Sequence, residues 1–192
     1  MTNFEEALKL IDEKNATDPN TETADAKEYP KELLYSQRMS QKLLDFMPDA
    51  SEELQIAARA QHICRWQIPR SDYPMDKVGY LKWREELKKM HAQITSEILE
   101  SVGYDQEFID RVSFLIRKKM LKKDDETQAL EDVICLVFLH FYFEEFAAKH
   151  NDEKVIDILQ KTWRKMSDEG HQAALKLPLS ESSLSLIKQA LA

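Results

Sequence analysis

Residues 129–150 read ALEDVICLVFLHFYFEEFAAKH, the most apolar run in the chain. Wound as a helix, Leu130, Val133, Ile134, Leu136, Val137, Phe138, Leu139, Phe141 and Phe143 cover every face. A helix that is apolar all round is stable only when other elements surround it. The run therefore predicts a central buried helix, and around it an all-α, bundle-like fold.

The flanking sequence agrees with a single helical domain over 1–192. Only three Gly occur among 192 residues, too few for turn-rich β architecture. Leu, Lys, Glu and Ala dominate, and these straight-chain residues lose little freedom in a helix. Apolar positions at helical spacing predict helices over 3–14, 31–47, 76–101, 105–119 and 151–166, with two short pieces after Ser167 and Ser180. Asp49, with Glu52 three residues on, predicts the N-cap of a further helix reaching Trp66. Gly103 is a stop signal for the long helix before it. Residues 15–30 are polar with two prolines and read as a loop. Pro69 and Pro74 bracket an irregular stretch over 67–75. No strand is expected.

Lys and Arg total 27 against 35 Asp and Glu, a net charge of −8. That balance argues against generic nucleic-acid binding and against an anionic membrane surface. No run reaches the ~20 apolar residues of a membrane span. Residues 1–10 lack the apolar core of a secretory signal. Cys64 and Cys135 lie inside apolar segments and read as free thiols. The expected location is the cytoplasm.

Four places could carry chemistry. On the central helix, Glu131 and Asp132 are costly if buried unpaired. Either they lie in the first turn, where the helix dipole favours anions, or one is a metal ligand or general base. His140, among Leu and Phe neighbours, reads as a satisfied core histidine. In AARAQHICRWQIPR (57–70), Arg59, His62, Arg65 and Trp66 would share one helix face. That face leads to Arg70 and Tyr73. Guanidiniums beside an indole and a phenol suit a small, planar, anionic ligand. The competing reading has the arginine stems covering an apolar stripe. Cys64 and His62 point too far apart to chelate one zinc. His91 shares a face with Arg84 and Lys88, a position that usually means packing. Arg117, Lys118, Lys119, Lys122 and Lys123 put five cations in seven residues. They either serve a helix C-terminus or form an anion site. No phosphate loop, CxxC, HExxH or GxSxG occurs.

The segments AARAQHI, HAQITSEIL and LEDVICLVF resemble, in order and rough spacing, the metal-binding motifs of the HD-domain phosphohydrolases. Ile63 stands at the motif's aspartate, and Tyr35 or Ser36 stands where its first histidine belongs. The resemblance implies catalytic roles for His62, His91, Glu131 and Asp132, with His62, His91 and Asp132 as ligands if a divalent metal binds. More closely, KELLYSQRMS, the AARAQHI…RW…IPR…YP block, IRKKMLKKD, LEDVICLVFL and KTWRKMS look like a family of bacterial and fungal proteins grouped as a domain of unknown function. Some of those are labelled glutamyl-tRNA synthetase-like, although this chain shows neither a nucleotide-binding strand pattern nor a basic face for tRNA. The combined expectation is an HD-like domain that binds, and in its stronger form hydrolyses, a small phosphorylated or nucleotide ligand. Arg38, Arg65, Trp66, Arg70, Tyr73 and Lys118 would line that ligand's pocket. The alternative is a non-catalytic module that senses a ligand or binds a partner protein through a degraded metal site.

Overall fold

The computed structural model describes all 192 residues, and ten α-helices carry the fold. The chain forms two compact units, Met1–Lys119 and Met120–Ala192. The first holds α1 (Asn3–Asn15), α2 (Lys31–Phe46), α3 (Glu52–Arg59), α4 (Lys77–Ser101) and α5 (Gln106–Ile116). The second holds α6 (Asp125–Val137), α7 (Phe143–Lys149), α8 (Asp152–Lys165), α9 (Asp168–Ala174) and α10 (Glu181–Leu191). No helix is long and apolar enough to cross a membrane.

Local chemistry explains most of these boundaries. Asp76, Asp105, Asn151, Ser167 and Ser180 each accept a backbone N–H in the first turn of the helix that follows. Each such cap is worth about 1 kcal/mol. Gly103, at φ +92°, ends the run after α4 in a conformation that favours glycine. α3 is shorter than the sequence predicts, and its N-cap is Ser51 rather than Asp49.

Residues 15–30 are not a plain loop. Thr21–Ala24 (β1) pairs antiparallel with Lys27–Pro30 (β2), Thr21 opposite Pro30. Asp25 and Ala26 turn the corner at φ 50° and 59°, the two positive φ values a tight hairpin turn needs. With Ala where Gly would usually advertise that turn, the hairpin left little trace in the sequence.

In the first unit, Ile11, Leu34, Met39, Leu43, Leu54, Ile56, Leu87, Leu99, Leu115 and Ile116 form a core drawn from all five helices. In the second, Leu130, Val133, Leu136, Val137, Phe143, Val155, Leu159 and Ile187, with Ala174 of α9, do the same. The central apolar run is interrupted. A π-helical turn over Phe138–Tyr142 separates α6 from α7. The extra residue per turn rotates the apolar face and leaves Phe141 37% exposed. His140 is only partly buried and stacks on Phe141 at 4.0 Å, so it is not the core histidine expected.

Candidate functional site

The first unit gathers the polar residues of interest around His62. The expected shared helix face does not exist, because α3 ends at Arg59. Two tertiary contacts account for the break. Arg59 donates to both carboxylate oxygens of Asp12 on α1, at 2.7 and 2.5 Å. The buried side chain of Asn15 accepts the Cys64 N–H at 3.1 Å, and Cys64 takes a left-handed φ of 54°. A non-glycine residue pays roughly 1 kcal/mol for that conformation. The resulting turn aims His62 toward α2 and leaves Arg65 beside it.

His62 is held from three sides. Arg65 Nη1 lies 2.8 Å from His62 Nε2, and Glu32 Oε2 lies 3.2 Å from Nδ1. A guanidinium can only donate, so Nε2 is the acceptor and Nδ1 carries the proton given to Glu32. Tyr35 stacks on the imidazole at 3.9 Å with the rings within 10° of parallel. Burial first, then the positive charges of Arg65, Arg84, Lys118 and Lys31, hold the His62 pKa well below the usual imidazole value. His91, 3% exposed on α4, lies 6.1 Å away between ring centroids. Burial, His62 and the cations Arg65, Arg84 and Lys118 depress it likewise, and its Nε2 has no hydrogen-bond partner. The two imidazoles are therefore neutral in a positive field.

Glu32 is the acid of this group, 6% exposed on the first turn of α2. Its own N–H donates to Asp18 Oδ2 at 2.9 Å, so Asp18 caps α2 from the preceding loop. Burial drives the Glu32 pKa up to about 7, against the opposing pull of Arg65 and Lys31.

Next to Glu32 lies a pocket of about 400 Å³ lined by Lys31, Arg65, Trp66, Arg70 and Trp83 among others. Its cations rest on aromatic rings. The Arg65 guanidinium sits 4.8 Å from the Trp83 ring centre, and Arg70 sits 5.9 Å from both Trp83 and Tyr80. Arg84, outside the pocket wall, lies 5.9 Å from Tyr80 and donates to its hydroxyl at 3.3 Å. Arg70 is further fixed by donating to the Tyr73 carbonyl at 3.1 Å, while Trp83 Nε1 donates to the Ile68 carbonyl at 2.8 Å. None of Arg65, Arg70 and Arg84 has a carboxylate within ion-pair distance.

Of the residues expected from sequence, His62, Arg65, Trp66, Arg70, His91 and Lys118 thus belong to one neighbourhood of the first unit. Tyr73 contributes its carbonyl to Arg70. Arg38 is spent elsewhere, in an ion pair with Glu22 of β1. Glu131 and Asp132 lie on α6 of the second unit, 4% and 1% exposed. They are not in its first turn, because Asp124 caps α6 and Asp125 and Glu126 supply the first-turn acids. Asp132 accepts from Ser167 N at 2.8 Å, Ser167 Oγ at 2.6 Å and Gln128 Nε2 at 3.2 Å. Within either unit no group of three His, Cys, Asp or Glu side chains is placed to hold a metal ion, so His62 and His91 find no third donor in the first. Within that unit the donor set does not fit the metal that the HD resemblance implies.

Glu32, Trp83 and Arg84 were not singled out for this site by sequence. Glu32 reads there as an ordinary first-turn acid. Tyr80, Trp83 and Arg84, at i, i+3 and i+4, did carry a signal, since that spacing stacks a cation and two rings on one helical face.

The loop carrying Arg70 is seated by a glycine. A Cβ on Gly79 would overlap the Pro74 carbonyl oxygen. Gly79→Ala should push the 69–74 segment off α4 and misplace Arg70. Tryptophan emission should shift as Arg70 leaves the Trp83 ring, and the melting temperature should fall, because the Cβ meets backbone rather than a movable side chain.

A family model described as "Domain of unknown function (DUF4202)" matches residues 5–187, and the chain belongs to that family. No curated protein and no solved structure matches it.

Proposed function

We propose that this DUF4202 family member is a receptor for a small phosphorylated or nucleotide ligand, bound in the pocket beside Glu32. One observation carries the reading. The two arginines that line the pocket, Arg65 and Arg70, are held in place by aromatic rings, a backbone carbonyl and His62 rather than by carboxylates, in a chain whose acids outnumber its bases by 35 to 27. Ordered but unneutralised guanidiniums are what phosphate recognition requires, because the fork geometry is fixed before the anion arrives. Trp66, half-buried in the pocket wall, offers a planar group a stacking surface. Lys31 and Lys118 add to the positive field without being needed for geometry.

The binding-only version is favoured over hydrolysis by the state of His62. Its one lone pair is occupied by Arg65, so it positions neighbours rather than acting as a free base. Hydrolysis remains the second reading, and the unpartnered Nε2 of His91 is the observation in its favour. An HD-like ancestry fits either version, but no step is routed through a metal because the donors do not fit one. Turnover of a phosphate monoester that disappears in His91→Ala, while binding persists, would select hydrolysis.

Native mass spectrometry of gently purified protein, joined to tryptophan-fluorescence titration with ADP, tests the proposal. A retained phosphorylated ligand, or saturable quenching by ADP, is expected. Arg65→Ala should weaken that binding by roughly 10- to 100-fold, the loss of one or two charge-assisted hydrogen bonds. No retained anion and no saturable quenching would sink the receptor reading.

A further inference from the structure

A pocket built only to hold an anion has no use for an acid in its wall, yet Glu32 is there, the single acid among the residues that line it. Its side chain is 8% exposed and only half engaged. Oε2 accepts the His62 Nδ1 proton at 3.2 Å, while Oε1 has no partner in the protein. The backbone N–H is tied to Asp18 Oδ2, which fixes the residue in place. A buried oxygen left without a donor is costly, and the pocket that Glu32 lines is where a donor can reach it. We infer that Glu32 Oε1 accepts a ribose hydroxyl, which makes the pocket selective for ribonucleotides over deoxyribonucleotides. The inference rests on the receptor reading above and names the ligand class within it.

The wall keeps its donor and its acceptor apart. His62 spends one ring nitrogen on each, Nε2 on the Arg65 guanidinium and Nδ1 on the Glu32 carboxyl. An imidazole therefore sets the spacing between a group that binds anions and a group that binds hydrogen-bond donors. A ligand that satisfies both must carry an anion and, a short way along the same molecule, a donor. A ribonucleotide does so: its phosphate suits Arg65 and Arg70, a sugar hydroxyl suits Glu32, and its base suits the Trp66 ring. The pocket volume of about 400 Å³ is that of a small-ligand site.

The donor is a hydroxyl rather than an ammonium. Lys31 and Arg65 already set positive charge beside Glu32, and a ligand ammonium would meet both as a like charge. A hydroxyl brings a proton to donate and no charge. A carboxyl keeps an accepting oxygen whether or not it is ionised, so this recognition needs no change in its protonation. Acids read ribose hydroxyls in dinucleotide-binding sheets by the same chemistry; here the acid stands on the first turn of α2. A site that bonds a hydroxyl rejects the analogue lacking it, because its own polar group is then left unpaired.

The test is isothermal titration calorimetry of the wild-type protein with ADP, 2′-deoxy-ADP, 3′-deoxy-ADP and pyrophosphate. One of the two deoxy analogues should bind roughly 10- to 100-fold more weakly than ADP, the loss of one hydrogen bond with its acceptor left buried. The matching fluoro analogue, similar in size but with no proton to donate, should bind as weakly. Glu32→Ala should bring ADP and that deoxy analogue to near parity. Equal wild-type affinity for ADP and both deoxy analogues overturns the inference and leaves the receptor standing. Binding of pyrophosphate but of no nucleotide does the same. A fluoro analogue that binds like ADP, or discrimination that survives intact in Glu32→Ala, overturns it as well. Binding of none of these ligands removes the receptor and this inference together. Should Glu32→Ala fail to fold, the fluoro analogue decides alone.

Discussion

Glu32→Gln should make the protein more stable than wild type near pH 8, by about 1–3 kcal/mol, and this is the largest gain we expect from a single substitution. Burial raises the Glu32 carboxyl from 4.5 to about 7 in the folded chain. The native state therefore binds the proton more tightly than the unfolded state does. The stability linked to that proton is full below pH 4.5 and is lost as pH rises through about 7. Above that, keeping the carboxylate ionised in its buried place costs roughly 3 kcal/mol. Glutamine has no proton to lose and keeps a carbonyl to accept from His62. It should escape most of that cost, which corresponds to a rise of a few degrees in melting temperature.

His62 and His91 work with the opposite sign. Their folded pKa values lie well below 6.5, so the stability they contribute is present above 6.5 and is lost as pH falls below it. Between about pH 4.5 and 6.5 the unfolded chain gains two protons at the histidines, while the folded chain holds one at Glu32. From these three groups, wild-type stability should fall on acidification by about 1.4 kcal/mol per pH unit, and by about twice that in the variant. Urea unfolding at several pH values between about 5.5 and 8.5 measures both slopes. Equal stability of the two proteins near pH 8 would mean that Glu32 titrates as an ordinary surface carboxylate.

The reason Glu32 escaped the sequence reading is the reason most of the site's detail did. Local signals placed the helices well: Asp76, Asp105, Asn151, Ser167 and Ser180 cap where their residue types suggest, and Gly103 stops α4. Those are interactions within about four residues, which sequence displays. The end of α3 is different. Nothing in AARAQHICRW breaks a helix locally, and the turn at His62 comes from Asn15 and Asp12, about fifty residues away in the chain. Even with the wrong geometry, His62, Arg65, Trp66, Arg70, His91 and Lys118 could be read as a group, and the structure places them in one neighbourhood. Their partners were not. Glu32 looks like a helix-start acid until His62 is turned onto it, and Arg38 looks free until β1 places Glu22 beside it. Glu131 and Asp132 were conspicuous because they are buried acids, but burial alone does not distinguish catalysis from capping.

Gly170→Ala should separate those two roles for Asp132, at a stability cost of about 2–4 kcal/mol. A Cβ on Gly170 would stand 2.5 Å from Asp132 Oδ1 and 2.8 Å from its Cγ. The carboxylate has no room to retreat. It is 1% exposed, its oxygens accept from Ser167 N, Ser167 Oγ and Gln128 Nε2, and Ser167 Oγ in turn accepts the Gly170 N–H at 3.1 Å. Relief means either breaking these bonds to a buried charge or displacing α9, and either is expensive. Thermal unfolding should report a drop of about 5–10 °C. Asp132→Asn, nearly isosteric, keeps an acceptor for Ser167 N, and the Ser167 hydroxyl can reverse to accept from the new amide. A cap would tolerate that change with a loss of about 1 kcal/mol and unchanged affinity for ADP. A metal ligand or general base would leave Asp132→Asn folded but inactive. The cluster geometry favours the cap, because every oxygen of Asp132 points at a donor from the same unit. A Gly170→Ala protein as stable as wild type would show that this close packing is not maintained in solution.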